Sequence, residues 1–450
     1  MGFFKINAAV SNFVWGPFML FLLLGTGVYL TFGLKGATVR KLFYAFKMLF
    51  SGIDKEKQKG EGDITPFQAL MTSLAATIGT GNIAGVATAI FMGGPGAVVW
   101  MWITAFFGMA IKYSEAVLAV KYREKKGTGQ FAGGPMYYIK NGMSKSWNWL
   151  GAAFAIFAAL ATFGIGNTVQ SNSVARALGQ SVGIPYWVTG VVLAILTYVV
   201  IIGGIERIAE VTEKLVPLMA VIYVLGSIWI IFANISSLGS AFSLIFKSAF
   251  SGHAAVGGFT GATLSQVVRF GVARGVFSNE AGLGSAAIAH AATTTDEPVR
   301  QGIVGMLGGF IDTIIVCTMT ALVIIMSGVW SVGETGAELT TLAFNKGLPG
   351  PGGYIVAFGL IFFAFSTILT WSYYGEKSIE YILGSKSIKV YRYLFVIFVF
   401  VGAVGNLEAI WALADTMNGL MIIPNLIAIL VLSPVVFKET KKYFQNNFFL

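Results

Sequence analysis

Residues 82–89 read Asn82-Ile-Ala-Gly-Val-Ala-Thr-Ala89, and residues 279–286 read Asn279-Glu-Ala-Gly-Leu-Gly-Ser-Ala286, with six positions identical or conservatively replaced. Strings of small residues recur in membrane helices because they let backbones pack closely. Position argues for more than that here. Both copies belong to stretches where glycine and polar residues interrupt an apolar run, Ala76-Thr-Ile-Gly-Thr-Gly-Asn82 and Arg274-Gly-Val-Phe-Ser-Asn-Glu-Ala-Gly-Leu-Gly284. The pattern is that of a duplicated unit whose members each begin with a broken helix.

The sequence around the two copies is that of a membrane protein. Of 450 residues 56% are hydrophobic and 11% charged, against roughly 25% charged in an ordinary soluble domain. Apolar runs long enough to cross a hydrocarbon core of about 30 Å, which takes about 20 helical residues, recur from end to end. Eleven spans are expected, at 12–34, 66–92, 95–121, 148–179, 184–204, 213–234, 259–291, 299–328, 352–377, 391–406 and 410–436. The first is longer than a signal-peptide core and has no Ala-x-Ala-like cleavage pattern, so it reads as a retained helix.

Of the 30 Lys and Arg, 23 fall in connections and a tail that share one side of such a topology. Three (Lys5, Lys247 and Lys346) fall on the other side, and Lys112, Arg176, Arg269 and Arg274 lie within spans. Cytoplasmic loops are the Lys- and Arg-rich ones, which puts the N-terminus outside the cell membrane and the C-terminus in the cytoplasm. The first copy of the repeat then runs outward and the second inward. The expected architecture is an all-α integral membrane fold of eleven transmembrane helices with two discontinuous ones. Residues 1–65 supply an extra N-terminal helix and a cytoplasmic loop, 66–258 a first five-helix repeat, 259–436 a second, inverted one, and 437–450 a cytoplasmic tail.

Several function classes drop out. The net charge of +10 is spread between apolar segments and forms no aromatic-interleaved patch, so nucleic acid is not an expected partner. Gly79-Thr-Gly-Asn-Ile-Ala84 fits the G-x-G-x-x-G/A turn of dinucleotide-binding proteins, but it lies inside a span, with no strand before it and no acidic residue some 20 positions on. The single cysteine, Cys317, cannot form an intramolecular disulfide. His253 and His290 are too far apart in sequence to suggest a metal centre. No nucleophile–base set points to an enzyme.

Unpaired backbone groups are tolerated at membrane depth only where protein or a water-filled cavity satisfies them, so paired interruptions point to a central binding site. A broken helix offers amides at one end for a carboxylate and carbonyls at the other for a cation. Those ends suit an amino-acid zwitterion travelling with Na⁺. Gln170, within the fourth span, can donate to the carboxylate or accept from the ammonium, or serve only as an interhelical hydrogen bond. Phe277 and Trp371 can wall the pocket or simply pack. Ser278 and Asn279 are the polar substrate-side residues of the second interruption. Glu280, Arg274 and Asp312 are ionisable groups at membrane depth, read as structural pairs or gates, with proton coupling as the alternative. Lys112 and Glu115, three apart, are expected to pair with each other.

The segments GTGNIAGVATAIFMGGPGAVVWMW (79–102), GGPMYYI (133–139) and GVARGVFSNEAGLGSAAIAHAA (271–292) are long, and with them the chain resembles the alanine or glycine:cation symporter family over nearly its whole length. That resemblance implies sodium-coupled uptake of a small neutral amino acid, alanine (of either hand) or glycine, by a core like the five-plus-five inverted repeat of the bacterial leucine transporter. Proton-coupled symport and a channel are the other readings. By the same resemblance Gly79, Thr80, Gly81 and Asn82 hold the substrate carboxylate. The carbonyls of Ala75 and Ile78, with Ser366 and Thr367, then ligate sodium through neutral oxygens, which suit a hard monovalent cation and permit its release. The leucine transporter's motif begins with Asn where this chain has Ala76, so one sodium ion is expected.

Overall fold

The computed structural model describes residues 2–50, 60–127, 129–251, 263–405 and 408–446. It is helical almost throughout. α1 (Gly2–Val14) and α2 (Pro17–Gly33) form the first crossing and are followed by α3 (Ala37–Arg40) and α4 (Leu42–Phe50). α5 (Pro66–Thr77) and α6 (Val86–Gly93) are joined through a π-helical turn at Gly81–Gly85. α7 (Ala97–Lys121) leads to a small antiparallel hairpin, β1 (Glu124–Lys125) and β2 (Phe131–Ala132), and to α8 (Pro135–Gly142). α9 (Asn148–Phe163) continues through a π-turn, Gly164–Thr168, into α10 (Val169–Val182). α11 (Tyr186–Ile201), α12 (Gly204–Ala233) and α13 (Leu238–Ser251) complete the first half.

The second half begins with α14 (Leu264–Asn279) and α15 (Ser285–Ala291). α16 (Pro298–Gly309) runs through a π segment, Phe310–Cys317, into α17 (Thr318–Met326). α18 (Gly336–Gly347), α19 (Gly352–Leu383), α20 (Ile388–Val404) and α21 (Glu408–Asn446) follow.

Among the described residues eight helices are long and apolar enough to cross a membrane, and the bent pair α5/α6 makes a ninth. The expected spans 184–204 and 259–291 correspond to α11, of 16 residues, and to the broken pair α14/α15. Residues 259–262 and 406, His253, and Lys55, Lys57 and Lys59 lie outside the described residues. α12 starts nine residues earlier than hydropathy suggests, because Gly204 turns the chain at φ 68° and Arg207 pairs with Glu210 along the new helix at 2.8 Å. Arg207 and Lys214 are therefore helical. Lys377, expected in a loop, is buried within α19 and paired with Glu380 at 2.9 Å. α8, α13 and α18 occupy stretches that hydropathy alone leaves as connections.

The two interrupted helices start alike. Thr65 accepts from the Gln68 N–H (3.2 Å) while the Gln68 side chain accepts from the Thr65 N–H (3.0 Å). Thr263 and Gln266 repeat this capping box at 3.4 and 2.8 Å. In each case the orphan amides of a helix start are satisfied from within. α5 then packs on α12 and α19, and α14 on α7. Without a hydrophobic force between helices in lipid, such contacts rest on close fit and interhelical hydrogen bonds.

Candidate functional site

The first interruption is a 51° bend between α5 and the segment Gly81–Gly93. Ile78 leaves the helical conformation at ψ 88°, and the Gly79 N–H donates to the Asn82 side-chain oxygen at 2.9 Å. Thr80, Gly81 and Asn82 open the next segment, whose first amides have no carbonyl within it to donate to. Asn82 N–H does reach the Gly79 carbonyl, at 3.3 Å. The Thr80 and Gly81 amides are thus the ones best placed for an anionic group, at the positive end of the segment's dipole.

The second interruption begins later than the sequence pattern suggests. α14 runs unbroken through Phe277, Ser278 and Asn279, so these three occupy its last turn, and the helix stops at Glu280 in the left-handed region (φ 56°). Gly275 serves close packing on α7, where a Cβ would lie 3.2 Å from the Met101 Cα, whereas Gly282 and Gly284 take φ 90° and 79°, conformations side chains avoid. The N–H groups of Gly282 and Gly284 donate to Glu115 Oε1 at 3.1 and 3.2 Å, and Asn425 Nδ2 donates to the same oxygen at 2.7 Å. A carboxylate of the protein itself thus occupies the anion site of this break. Glu115 does not pair with Lys112 as the i, i+3 spacing suggests. Its side chain is committed to the α14–α15 connection, while the Lys112 ammonium, set against Gly308 of α16, has no hydrogen-bond partner.

Asn82 and Asn279, the first residues of the two repeat copies, behave alike. Each side-chain oxygen accepts an amide of its own loop, Gly79 for one and Ala281 for the other, both at 2.9 Å. Each Nδ2 donates into the π segment, Asn82 to Asp312 Oδ1 (2.7 Å) and Asn279 to Thr313 Oγ1 (3.3 Å). Asp312 Oδ2 accepts from Ser278 (2.9 Å) and Thr313 (2.7 Å). The fully buried Asp312 is therefore a clasp that holds both interrupted helices. Sequence reasoning missed Thr313 and Asn425. The available signals were a polar neighbour of a mid-span Asp and an Asn inside the last span.

Across from the first break, Thr367 and Ser366 on α19 donate to the Ala75 carbonyl at 3.0 and 3.4 Å. Their lone pairs, with that carbonyl, make a set of neutral oxygens compatible with Na⁺. Ile78 makes no hydrogen bond with either hydroxyl among the described residues. A Cβ on Gly79 would lie 2.8 Å from Thr367 Oγ1 and 3.9 Å from Gln170 Oε1, so glycine is what lets the three approach. Gln170 Nε2 donates to the Ile165 carbonyl (3.0 Å) and Thr80 Oγ1 (3.4 Å), and its Oε1 is buried without a hydrogen-bond partner. The Gly81 Cβ position is 3.3 Å from the Ser278 Cα and 3.4 Å from the Phe277 ring, so the two breaks touch. Trp371 packs on Gly166, leaving no room there for a side chain, and its Nε1–H donates to Glu280 Oε1 (3.1 Å), whose other oxygen accepts from Ser285 (2.6 Å). Glu280 is thus held by neutral donors, and makes no ion pair among the described residues. Arg274 stacks 5.5 Å over the Phe277 ring and lines a 130 Å³ cavity with Trp15 and Asp415.

Residues 3–448 match the model of the sodium:alanine symporter family. The chain belongs to that family. It is 53% identical to the sodium/alanine symporter AgcS of Methanococcus maripaludis, over 98% of each chain. Its fold is that of solved transporters of much lower identity. One is MhsT in complex with L-phenylalanine (TM-score 0.61, 12% identity, 83% of this chain and 89% of that one). Another is a Na⁺-coupled sialic acid symporter (TM-score 0.58, 14% identity, 93% and 86%).

The two ends of this symporter differ. At one end a 670 Å³ cavity lined by Arg176, Glu334, Glu338 and Leu360 reaches down to Thr80. At the other, the strand-like segment before α5 pairs with the one after α15: Asp63 and Ile64 N–H donate to the Ala292 carbonyl (2.8 and 3.1 Å) and Thr294 N–H to the Ile64 carbonyl (2.8 Å). Arg123 ties this pairing down by donating to Ala291 O (3.1 Å), Thr293 O, Glu61 O (2.8 Å) and Asp296 (2.9 Å). Half-burial raises the Asp63 carboxyl above its ordinary range, against the lowering effect of the Phe131 N–H it accepts at 3.0 Å. Burial also raises Glu124, but hydrogen bonds from Lys140, Lys126 and Asn141 outweigh it and bring the carboxyl down to about 2.

Proposed function

We propose that this chain carries alanine or glycine across the cell membrane with sodium, by alternating access around the first interruption. The observation that carries the reading is a pair of opposite handles beside Gly79. The amides of Thr80 and Gly81 suit a carboxylate, and the partnerless Gln170 oxygen suits an ammonium, whose buried acceptor is otherwise left without its hydrogen bond. Ser366, Thr367 and the Ala75 carbonyl, with Ile78 nearby in the chain, hold the sodium ion. Phe277, whose ring lies against Gly81, and Trp371 are the aromatic walls of this reading, and alanine of either hand is an expected substrate. Ser278 and Asn279 act at one remove, by fixing the second break to Asp312 and Thr313.

In this reading residues 66–258 and 259–436 are the two inverted repeats, and 1–65 is an added helix and loop. The basic loops face the cytoplasm, with the N-terminus outside. The Arg123 closure is then the cytoplasmic gate and the cavity above Thr80 the external entrance. The first two spans of each repeat rock against the rest, since the clasp at Asp312 makes both breaks move together. Sodium bound next to Gly79 favours the substrate-ready bend, and linkage requires alanine to raise sodium affinity by the factor that sodium raises alanine affinity.

The test is alanine uptake by purified protein in liposomes under separately imposed Na⁺ and H⁺ gradients. Uptake should follow the Na⁺ gradient, and uptake driven by H⁺ alone would replace sodium with a proton as the coupling ion. Gln170→Ala and Trp371→Ala should impair alanine binding, whereas Ser366→Ala and Thr367→Ala should mainly weaken sodium dependence. Normal transport by all four variants would reject the pocket. Saturable counterflow of labelled alanine distinguishes the carrier from a channel.

A further inference from the structure

We infer that the elbow between α2 and α4, together with the end of α21, forms a binding site for an anionic phospholipid, separate from the transport site. A 730 Å³ cavity lies there, and its charged lining among the described residues is of one sign: Lys35, Arg40, Lys41 and Lys441. The side chains of Lys35, Arg40 and Lys441 make no ion pair or hydrogen bond among the described residues. The like charges of Lys35, Arg40 and Lys441 repel one another, and an anion that enters the cavity relieves the repulsion.

Backbone strain marks the same place. Among the described residues, two non-glycine residues adopt a left-handed backbone: Glu280, in the second break, and Lys35 (φ 53°). Such a conformation persists only where its surroundings impose it. Gly33 packs directly on the Phe437 ring, which fixes the elbow against α21.

The neighbourhood selects a lipid over a soluble anion. The cavity opens where the apolar run of α2 ends, the level of a headgroup, and Leu34, Phe437 and Phe444 supply an apolar floor. Phe32 and Phe43 beside it are 77% and 83% exposed, as side chains facing acyl chains are. Basic pockets at the cytoplasmic interface suit anionic headgroups, because that leaflet carries negative lipid. A phosphodiester headgroup between Lys35, Arg40 and Lys441, with its chains along Phe32 and Phe43, would join the added first helix to the last one.

The experiment measures retention of fluorescent phosphatidylglycerol by the full chain in phosphatidylcholine nanodiscs, with Lys35→Gln/Arg40→Gln/Lys441→Gln as the variant. Saturable binding at least tenfold weaker in the triple variant is expected, with alanine binding unchanged as the check on folding. Lys386→Gln/Lys389→Gln, which removes basic charge elsewhere, should bind like the unmodified chain. Should the triple variant not fold, Lys441→Glu alone should weaken binding. Equal retention by triple variant and unmodified chain would overturn the proposal. So would equal binding of phosphatidylcholine, or displacement of the lipid by millimolar inorganic phosphate, since a free anion would then be the ligand.

Discussion

The two interrupted helices are built from one sequence unit and end in opposite electrostatic conditions. In both, a Thr–Gln capping box starts the helix and an Asn ties the break to the π segment at Asp312 and Thr313. The second break is then closed by the protein's own carboxylates, Glu115 on its amides and Glu280 against Trp371. The first touches a carboxylate through the Asn82 side chain, which donates to Asp312, and its Thr80 and Gly81 amides have no carboxylate acceptor among the described residues. Around Gly79 stand hydroxyls, an amide oxygen without a partner, and carbonyls. A duplicated scaffold thus yields one break that is internally satisfied and one that a zwitterion and a cation can satisfy.

The largest effect should come from emptying the satisfied break. Glu115→Ala leaves the Gly282 and Gly284 amides and one N–H of Asn425 Nδ2, whose other bond goes to the Gly282 carbonyl, without their acceptor, a loss of roughly 3 kcal/mol or more at about 1 kcal/mol or more per buried donor. The purified variant should melt well below the unmodified chain in detergent, and Glu115→Gln, which keeps one oxygen, should lose about a third as much. A Glu115→Ala protein of unchanged stability would mean that the second break is not held by its carboxylate.

Next comes the pair Asn82→Ala and Asn279→Ala, whose inequality measures how far the breaks differ. Each removes one loop cap, but the first also takes a donor from the buried Asp312 carboxylate and the second only from a hydroxyl. Asn82→Ala should cost about 2 kcal/mol and Asn279→Ala about 1 kcal/mol in thermal unfolding. Equal costs would show that the charge on Asp312 does not distinguish the two sides.

Much of this arrangement is legible in the sequence, and what is not has a physical cause. The apolar runs, the Asn-led repeat and the Gly-Thr-Gly bend follow from local composition. Thr80, Gln170 and Thr367, expected at one site, lie close together around Gly79. The second break starts at Glu280, six residues after Arg274, where the sequence pattern puts it, because a glycine used for helix packing, Gly275, reads like one used for a turn, and only contacts with α7 tell them apart. Glu115 illustrates the same limit. Its spacing from Lys112 favours a local pair, but three donors from distant segments outcompete a single ammonium. The capping boxes at Thr65 and Thr263 are a signal that was present and unread: Thr-x-x-Gln occurs ahead of both interruptions, 198 residues apart.

Those boxes give a smaller and nearly symmetrical effect. Thr65→Ala and Thr263→Ala should each cost about 1 kcal/mol, the usual worth of a helix cap. A much larger loss for Thr65→Ala would place it in the closure formed by residues 61–64, so that the halves differ at their starts as well as at their breaks.

The smallest effect concerns that closure, where the chain entering the first interrupted helix meets the chain leaving the second. Asp63 is half-buried there and its carboxyl titrates above the ordinary range because burial disfavours the charged form. Opening this end exposes the carboxyl and returns it to the ordinary value, so the closed state binds the proton more tightly. Closure is therefore fully favoured by this group below the ordinary carboxylate range, and the contribution fades as pH rises through the raised value. Exchange of the Asp63, Ile64 and Thr294 amides, corrected for intrinsic rates, should quicken by less than tenfold across that window. Asp63→Asn should abolish the dependence. If the Thr294 amide, on the second helix's side, responds while Asp63 and Ile64 do not, the two strands part independently and the clasp at Asp312 does not couple them.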